Sequence, residues 1–214
     1  HLVAKAENAV TNVHNLESGQ TLIGATPNIS SYVIPEWVRD FREMYPNLTP
    51  SVSTNVTSEI ANDVLDRKLD IGIIEGEIDA LPTRLGRIVL EDVAQVVIVG
   101  QGHPWWGRDG INLMDFAGKS FVMRQKNSQT RAWLDTLLAQ HKVEIRINGE
   151  FDNPEALKHA VTAGTCATIL PEYAVRRERD LGLVHLLQVC DVELHRPLRL
   201  VWDSERIFPP VTRA

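Results

Sequence analysis

The stretch GATPNISSYVIPEW carries four small polar residues, Thr26, Asn28, Ser30 and Ser31, between a short apolar run and a helix-like one. Side chains of this kind at such a junction suit four chemistries. They are a phosphate-cradling loop, the turn of a serine nucleophile, a helix cap, or one wall of a ligand pocket. A phosphate loop needs a second glycine followed by lysine, and neither is present. A serine nucleophile needs the strained GxSxG turn, and the chain has none. Capping and ligand lining remain. Ser30 or Ser31 suits an N-cap, with Pro35 in the first turn or just after it. A cap accounts for one of the four residues and leaves Thr26 and Asn28 over. Free amides at a helix start, with hydroxyls around them, favour an anion or carboxylate.

A second loop, RQKNSQTR at 124–131, has the same form. Asn127 or Ser128 can cap, Ser128, Gln129 and Thr130 supply donors, and Arg124, Lys126 and Arg131 add positive charge suited to an anion. The third, EFDNPEAL at 150–157, is a complete helix start, with Asn153 as cap and Pro154 in the first position. It too lies at the carboxyl end of a strand, and Gly164-Thr165 sits at the far end of its helix.

Other chemistry is sparse. The seven histidines (His1, His14, His103, His141, His159, His185 and His195) have no metal-ligand spacing. His159 and His185 read as structural or surface residues. Cys166 and Cys190 form no CxxC, so a buried structural role in a reducing cytoplasm is expected. Glu75 and Glu77 follow a strand end and can line a pocket, but nothing makes them an acid/base pair. No catalytic set, metal site or cofactor motif is expected. Trp105 and Trp106, beside Pro104, are expected to pack over a turn.

The elements that position these loops alternate. The sequence predicts strands over 20–25, 48–54, 69–74, 93–100, 119–123, 144–149, 166–170, 183–187 and 196–202. Helices are predicted over Tyr32–Tyr45, Ser58–Lys68, Gln129–Gln140 and 154–163. Pro46 ends the first of these helices. A βαβαβ series of this kind signals parallel sheets covered by helices. The series begins twice, which predicts two α/β lobes joined by crossover strands: 19–97 with 196–214, and 98–195. Ligands of such sheets bind at the carboxyl ends of strands.

The 214 residues are 43% hydrophobic with a net charge of −6. That supports a packed core and excludes a nucleic-acid-binding surface built on a basic patch. No apolar run approaches the roughly 20 residues that span a bilayer. The chain opens at His1 in mid-helix, where Val3, Ala6, Val10 and Val13 form an apolar stripe. Residues 1–18 are therefore expected to be the end of a longer helix, covered by another chain or by an upstream segment.

Several segments taken in order resemble the effector-binding region of LysR-type transcriptional regulators. They are LESGQTLIGATPNISSYVIP, FREMYPNLTPSV, VLDRKLDIGII, VIVGQGHPW and LKHAVTAGTCATILPEYAV. Each motif is loose, and their order and spacing along nearly the whole chain make the likeness specific. Within that family the chain resembles regulators of carbon fixation. The resemblance implies two Rossmann-like, periplasmic-binding-protein-like lobes behind a linker-helix stub. It also implies a small, anionic effector held between the lobes, and a homodimer or homotetramer whose geometry the effector alters. DNA would be bound only through a winged helix-turn-helix outside this chain. Carried over by position, the implied effector contacts are Thr26, Asn28 and Ser30; Asn127, Ser128, Gln129 and Thr130; and Phe151, Asn153 and Thr165. Where many members have a glycine-rich second loop, this chain reads NSQTR, which keeps a ligand farther from the backbone at Gln129. The resemblance also divides Trp37, Phe41, Trp133 and Leu137 between core and subunit interface. It implies a cytoplasmic, non-enzymatic protein without a membrane partner. The alternative from another class is a transporter's solute-binding protein, with the same two-lobed body and a secretory signal.

Overall fold

A computed structural model describes residues 19–77 and 82–207. The expected helix over 1–18 lies outside the described residues. Two compact units emerge, one holding residues 19–74, 82–88 and 199–207, the other Glu75–Glu77 and Val89–Leu198.

In the first unit β1 (Gly19–Ala25) pairs in parallel with β2 (Leu48–Thr54) on one side and β3 (Ile71–Glu75) on the other. Strand β10 (His195–Asp203) lies next to β3, and β4 (Leu85–Val99) next to β10. The helix predicted over Tyr32–Tyr45 is instead two: α1 (Pro27–Tyr32) and α2 (Ile34–Met44). Pro27 explains the early start. Its fixed φ suits the first helical position, so the extended Thr26 (φ −69°, ψ 157°) becomes the N-cap residue. Ser30 and Ser31 then fall inside a helix already begun, and neither is its cap. Helix α2 buries only Ile34 and leaves Trp37 and Met44 exposed. Helix α3 (Thr57–Leu65) packs Ile60, Ala61 and Val64 against Leu69, Ile74, Leu85 and Val201. It comes close enough to the sheet that a Cβ on Gly24 would stand 3.1 Å from Ile60, and one on Gly72 2.5 Å from Ile60.

A single carboxylate ties the last strand of this unit to its neighbours. Asp203 is fully buried and accepts from Nε of Arg84 at 2.7 Å, from its Nη2, and from the Glu205 amide at 3.1 Å. The Arg84 hydrogen bonds hold the Asp203 carboxyl well below the usual carboxylate range.

The second unit is a sheet buried on both faces. Strand β4 runs antiparallel to β8 (Ala167–Pro171) and β9 (His185–Val189). Strand β8 pairs in parallel with β6 (Ser120–Arg124), and β6 with β7 (Arg146–Phe151). A strand sends successive side chains to opposite faces. Accordingly, Val97 and Val99 join one core, with Phe121, Met123, Ile169 and Leu187, while Val96 and Ile98 join the other, with Val122 and Leu170. Helix α4 (Gln129–Gln140) covers the first face through Leu134 and Leu138, and α5 (Pro154–Ala163) the second through Leu157 and Val161. Burial on both faces is why these strands read as unbroken apolar runs.

Several expectations change. Strand β4 begins eight residues before the predicted 93, because its exposed first half carries Arg87, Glu91 and Asp92, which hide it in the sequence. The two compact units divide around Glu75–Glu77 and at 88/89 and 198/199. The short strand β5 (Gly110–Ile111) beside β9 and the short helix α6 (Arg176–Asp180) were not anticipated. Trp105 is a core residue, its ring 5.9 Å from Phe116 and 6.3 Å from Phe121. Cys190 is exposed, contrary to the buried role expected of it, because it follows β9 on the turn that pairs back to Ile111. His159 is exposed, and His185 bonds the Arg108 carbonyl at 2.6 Å.

Two measurements check these contacts. A Cβ on Gly100 would stand 2.3 Å from the Val161 carbonyl of α5. Gly100→Ala is therefore expected to cost about 1–3 kcal/mol in chemical denaturation; an unchanged midpoint would refute that packing. Asp203 has a folded-state pKa below its unfolded value, so its stabilisation is full above the unfolded pKa and is lost as pH falls through the folded one. Stability of the wild type relative to Asp203→Asn is expected to be constant near neutrality and to shrink below about pH 4.

Candidate functional site

The first-unit residues lie at the turn from β1 into α1. Thr26 is 9% exposed and Asn28 4%; Thr26 Oγ1 and Asn28 Oδ1 are buried without a hydrogen-bond partner. A buried polar atom left unpaired costs about 1–3 kcal/mol. Such atoms at the carboxyl end of a strand mark a place where a polar ligand can satisfy them. Ser30 has a different role. Its hydroxyl meets that of Thr54 at 2.6 Å, fastening α1 to the end of β2.

In the second unit, the second and third loops are brought together. Arg124, at the end of β6, donates to the Asp152 carbonyl at 2.6 Å, and the Gln125 amide to the Phe151 carbonyl at 3.1 Å. Ser128 is the buried N-cap residue of α4, extended at φ −79° and ψ 130°, with no capping bond from its side chain. Gln129 and Thr130 are half-buried in the first turn, whereas Asn127 is exposed. Asn153 caps α5 as the sequence indicates, its side chain accepting from the Ala156 amide at 2.8 Å. Phe151 packs on the second core of the unit. Thr165 is not brought to this cluster. It is exposed beyond the carboxyl end of α5, which rises about 15 Å over its ten residues.

Behind the second loop lies a buried polar network that the motifs did not indicate. Arg196, 2% exposed, donates through Nη1 to Glu75 Oε1 at 2.9 Å and to Thr130 Oγ1 at 2.8 Å, and through Nη2 to the Glu75 carbonyl at 2.9 Å. Glu75, 3% exposed, also accepts from Gln95 Nε2 at 2.9 Å and from the Tyr173 hydroxyl at 2.9 Å. The guanidinium lies 5.6 Å from the Trp133 ring centroid, a cation–π distance. Gly76, at φ +95°, leaves room for it, since a Cβ there would fall 2.1 Å from Nη2. Burial pushes the Arg196 pKa down, and the charge of Glu75 opposes that shift. Burial acts likewise on Arg124, opposed by Asp152 and Glu75. One signal for this network was in the sequence: Gln95 is a lone amide in the apolar run VAQVVIVG, and Arg196 opens an apolar strand. A polar residue in a run buried on both faces needs a buried partner.

Among the described residues no cluster of His, Cys, Asp and Glu could hold a metal ion, and no helix is long and apolar enough to cross a membrane.

Residues 14–214 match the family model described as the LysR substrate binding domain, so the chain belongs to that family. Among curated proteins it is 29% identical over 210 residues to a "Probable RuBisCO transcriptional regulator" of Porphyra purpurea, a match covering 92% of this chain and 64% of the relative. The chain thus spans just under two thirds of the length of the curated relatives it matches. The fold is that of the Synechocystis PCC6803 CcmR regulatory domain in complex with 2-PG, with a TM-score of 0.83, 21% identity and coverage of 92% and 93% of the two chains. It is equally that of the effector binding domain of QuiR in complex with shikimate, with a TM-score of 0.81, 21% identity and 92% of each chain covered. This mixed α/β architecture agrees with the periplasmic-binding-protein-like class expected from the sequence.

Removing one partner of a buried ion pair strands the other charge, at about 3–5 kcal/mol. Glu75→Leu is therefore expected to lower the unfolding free energy by that amount. A loss below about 1 kcal/mol would be that of an exposed pair and would show that Arg196 does not depend on Glu75.

Proposed function

We propose that this chain is the effector-sensing part of a transcription regulator that binds a small organic anion, the candidate contacts being Thr26 and Asn28 within the first unit and Ser128, Gln129 and Thr130 within the second. The observation that carries the proposal is the pair of buried, unpartnered oxygens at the carboxyl end of β1: Thr26 Oγ1, whose hydroxyl can donate to an anionic oxygen, and Asn28 Oδ1, which can accept from a ligand hydroxyl. Family membership supports it, as do the names of the relatives, which are regulators and not enzymes. The two solved domains of the same fold are described as bound to 2-PG and to shikimate, and an acidic metabolite of that size suits the donors of the second loop. Phe151 and Asn153 flank that loop, Phe151 as packing and Asn153 as a cap, while Ser30 and Asn127 stand at the margins of the two loops.

The regulator reading displaces that of a transporter's solute-binding protein, which none of the relatives cited supports. In the whole protein, DNA would be held by a winged helix-turn-helix outside this chain, in a cytoplasmic homodimer or homotetramer. The effector would act by binding one arrangement of the protein better than another.

Thermal melting with a panel of organic acids, sugar phosphates, sulfate and NADPH tests the proposal. At least one organic anion is expected to raise the Tm. Thr26→Ala combined with Asn28→Ala is expected to weaken that response by about tenfold in concentration, the effect of one lost hydrogen bond to a charged group. A double variant that responds as the wild type does would remove the first loop from the site.

A further inference from the structure

The Arg196 network bears directly on which ligand the second loop can accept. A threonine hydroxyl has one proton to donate and two lone pairs to accept with, and in isolation it rotates to suit either kind of partner. Thr130 is not free in this way. Arg196 Nη1, which can only donate, is 2.8 Å from Thr130 Oγ1, so that oxygen is engaged as an acceptor and its proton is turned elsewhere. The guanidinium cannot rotate to release it. Nη1 and Nη2 are also bonded to the side chain and carbonyl of Glu75, the face of the group lies on Trp133, and Gly76 sits against its tip, while Nε has no partner among the described residues. Thr130 is half-buried in the first turn of α4, while Arg196 itself is buried. The half-buried hydroxyl is thus the outer end of a chain of hydrogen bonds that begins in the core.

The charge balance points the same way. Two buried guanidiniums, Arg124 and Arg196, have one buried carboxylate in common, Glu75, since Arg124 bonds only a backbone carbonyl of Asp152. The third buried guanidinium, Arg131, is answered by Asp135 and Glu150, which face solvent and are screened by it. The ground beneath the loop therefore carries more buried positive than buried negative charge, a setting that favours an acceptor-rich, anionic group.

We propose that Arg196 is a positioning residue of the effector site, holding the Thr130 hydroxyl as an obligate donor so that the second loop selects a carboxylate or phosphate oxygen over a neutral or donor group. This rests on the reading of the second loop as an effector contact, and it adds the residue that sets the loop's preference.

The test is a thermal-shift titration of the 214-residue chain with 2-PG, shikimate and sulfate, with the methyl ester of shikimate as the uncharged control. In the wild type at least one of the anions is expected to raise the Tm, and the ester is not. Thr130→Ser is expected to keep the response. Thr130→Val and Arg196→Lys are each expected to raise the half-saturating concentration by about tenfold, the loss of one charge-assisted hydrogen bond. The double variant is expected to be no worse than the weaker single, because both changes break one link. If the two substitutions act independently, or Arg196→Lys binds as the wild type does, the role of Arg196 is overturned while the loop reading stands. Thr130→Val leaves the Arg196–Glu75 pair intact, so a normal response from it overturns the inference even if the Arg196 variant does not fold. A wild type indifferent to all three anions overturns the loop reading together with the inference.

Discussion

The buried ion pair of Glu75 and Arg196 is the constraint around which the second unit is arranged. Two charges removed from water lose several kcal/mol of hydration each, and attraction between them compensates only when their remaining donors and acceptors are also filled. Here Gln95 and Tyr173 donate to the carboxylate, and Thr130 and the Glu75 carbonyl accept from the two terminal guanidinium nitrogens, with Trp133 beneath the group and Nε alone left without a partner among the described residues. These groups come from the end of β3, the middle of β4, the turn after β8, the start of α4 and the start of β10. Satisfying one charge therefore sets the positions of five segments far apart in the chain. A hydrophobic cluster could join the same segments, but it tolerates sliding. Bonds at 2.8–2.9 Å with fixed directions do not.

The consequence for function is positional. A ligand site on loops is only as well ordered as what lies behind the loops. The second loop has Arg196 behind Thr130 and Arg124 tying its first residue to the third loop. The first loop is held differently, by Pro27 setting the start of α1 and by the Ser30–Thr54 contact. That leaves Thr26 and Asn28 with polar atoms uncommitted to the protein. One loop presents a hydroxyl whose direction is already decided, and the other presents oxygens still awaiting a partner.

Most of the architecture was legible in the sequence because its signals are local. Short apolar runs such as IGII and VVIV, bounded by turn residues, read as buried strands, and Asn153-Pro154 followed by Glu155 reads as a helix start. Errors arose where two local signals competed. Pro27 and Pro35 both suit a helix start, and the structure uses both, making two helices where the sequence suggested one. The loops were legible as polar tips, but not the network behind them. The partnership of Glu75 with Arg196 spans 121 residues, and no spacing rule reaches that far. What could have been noticed is the oddity of Gln95 and Arg196 in apolar strands, which shows that partners exist without saying which they are.

A crystal structure of the chain bound to whichever anion most raises its melting temperature tests the central claim most directly. The expected result is a carboxylate or phosphate oxygen within hydrogen-bond distance of Thr130 Oγ1, with the Arg196–Thr130 and Arg196–Glu75 bonds unchanged. An anion bound away from Thr130, or seated there with Arg196 swung off Glu75 to meet it, would contradict the account.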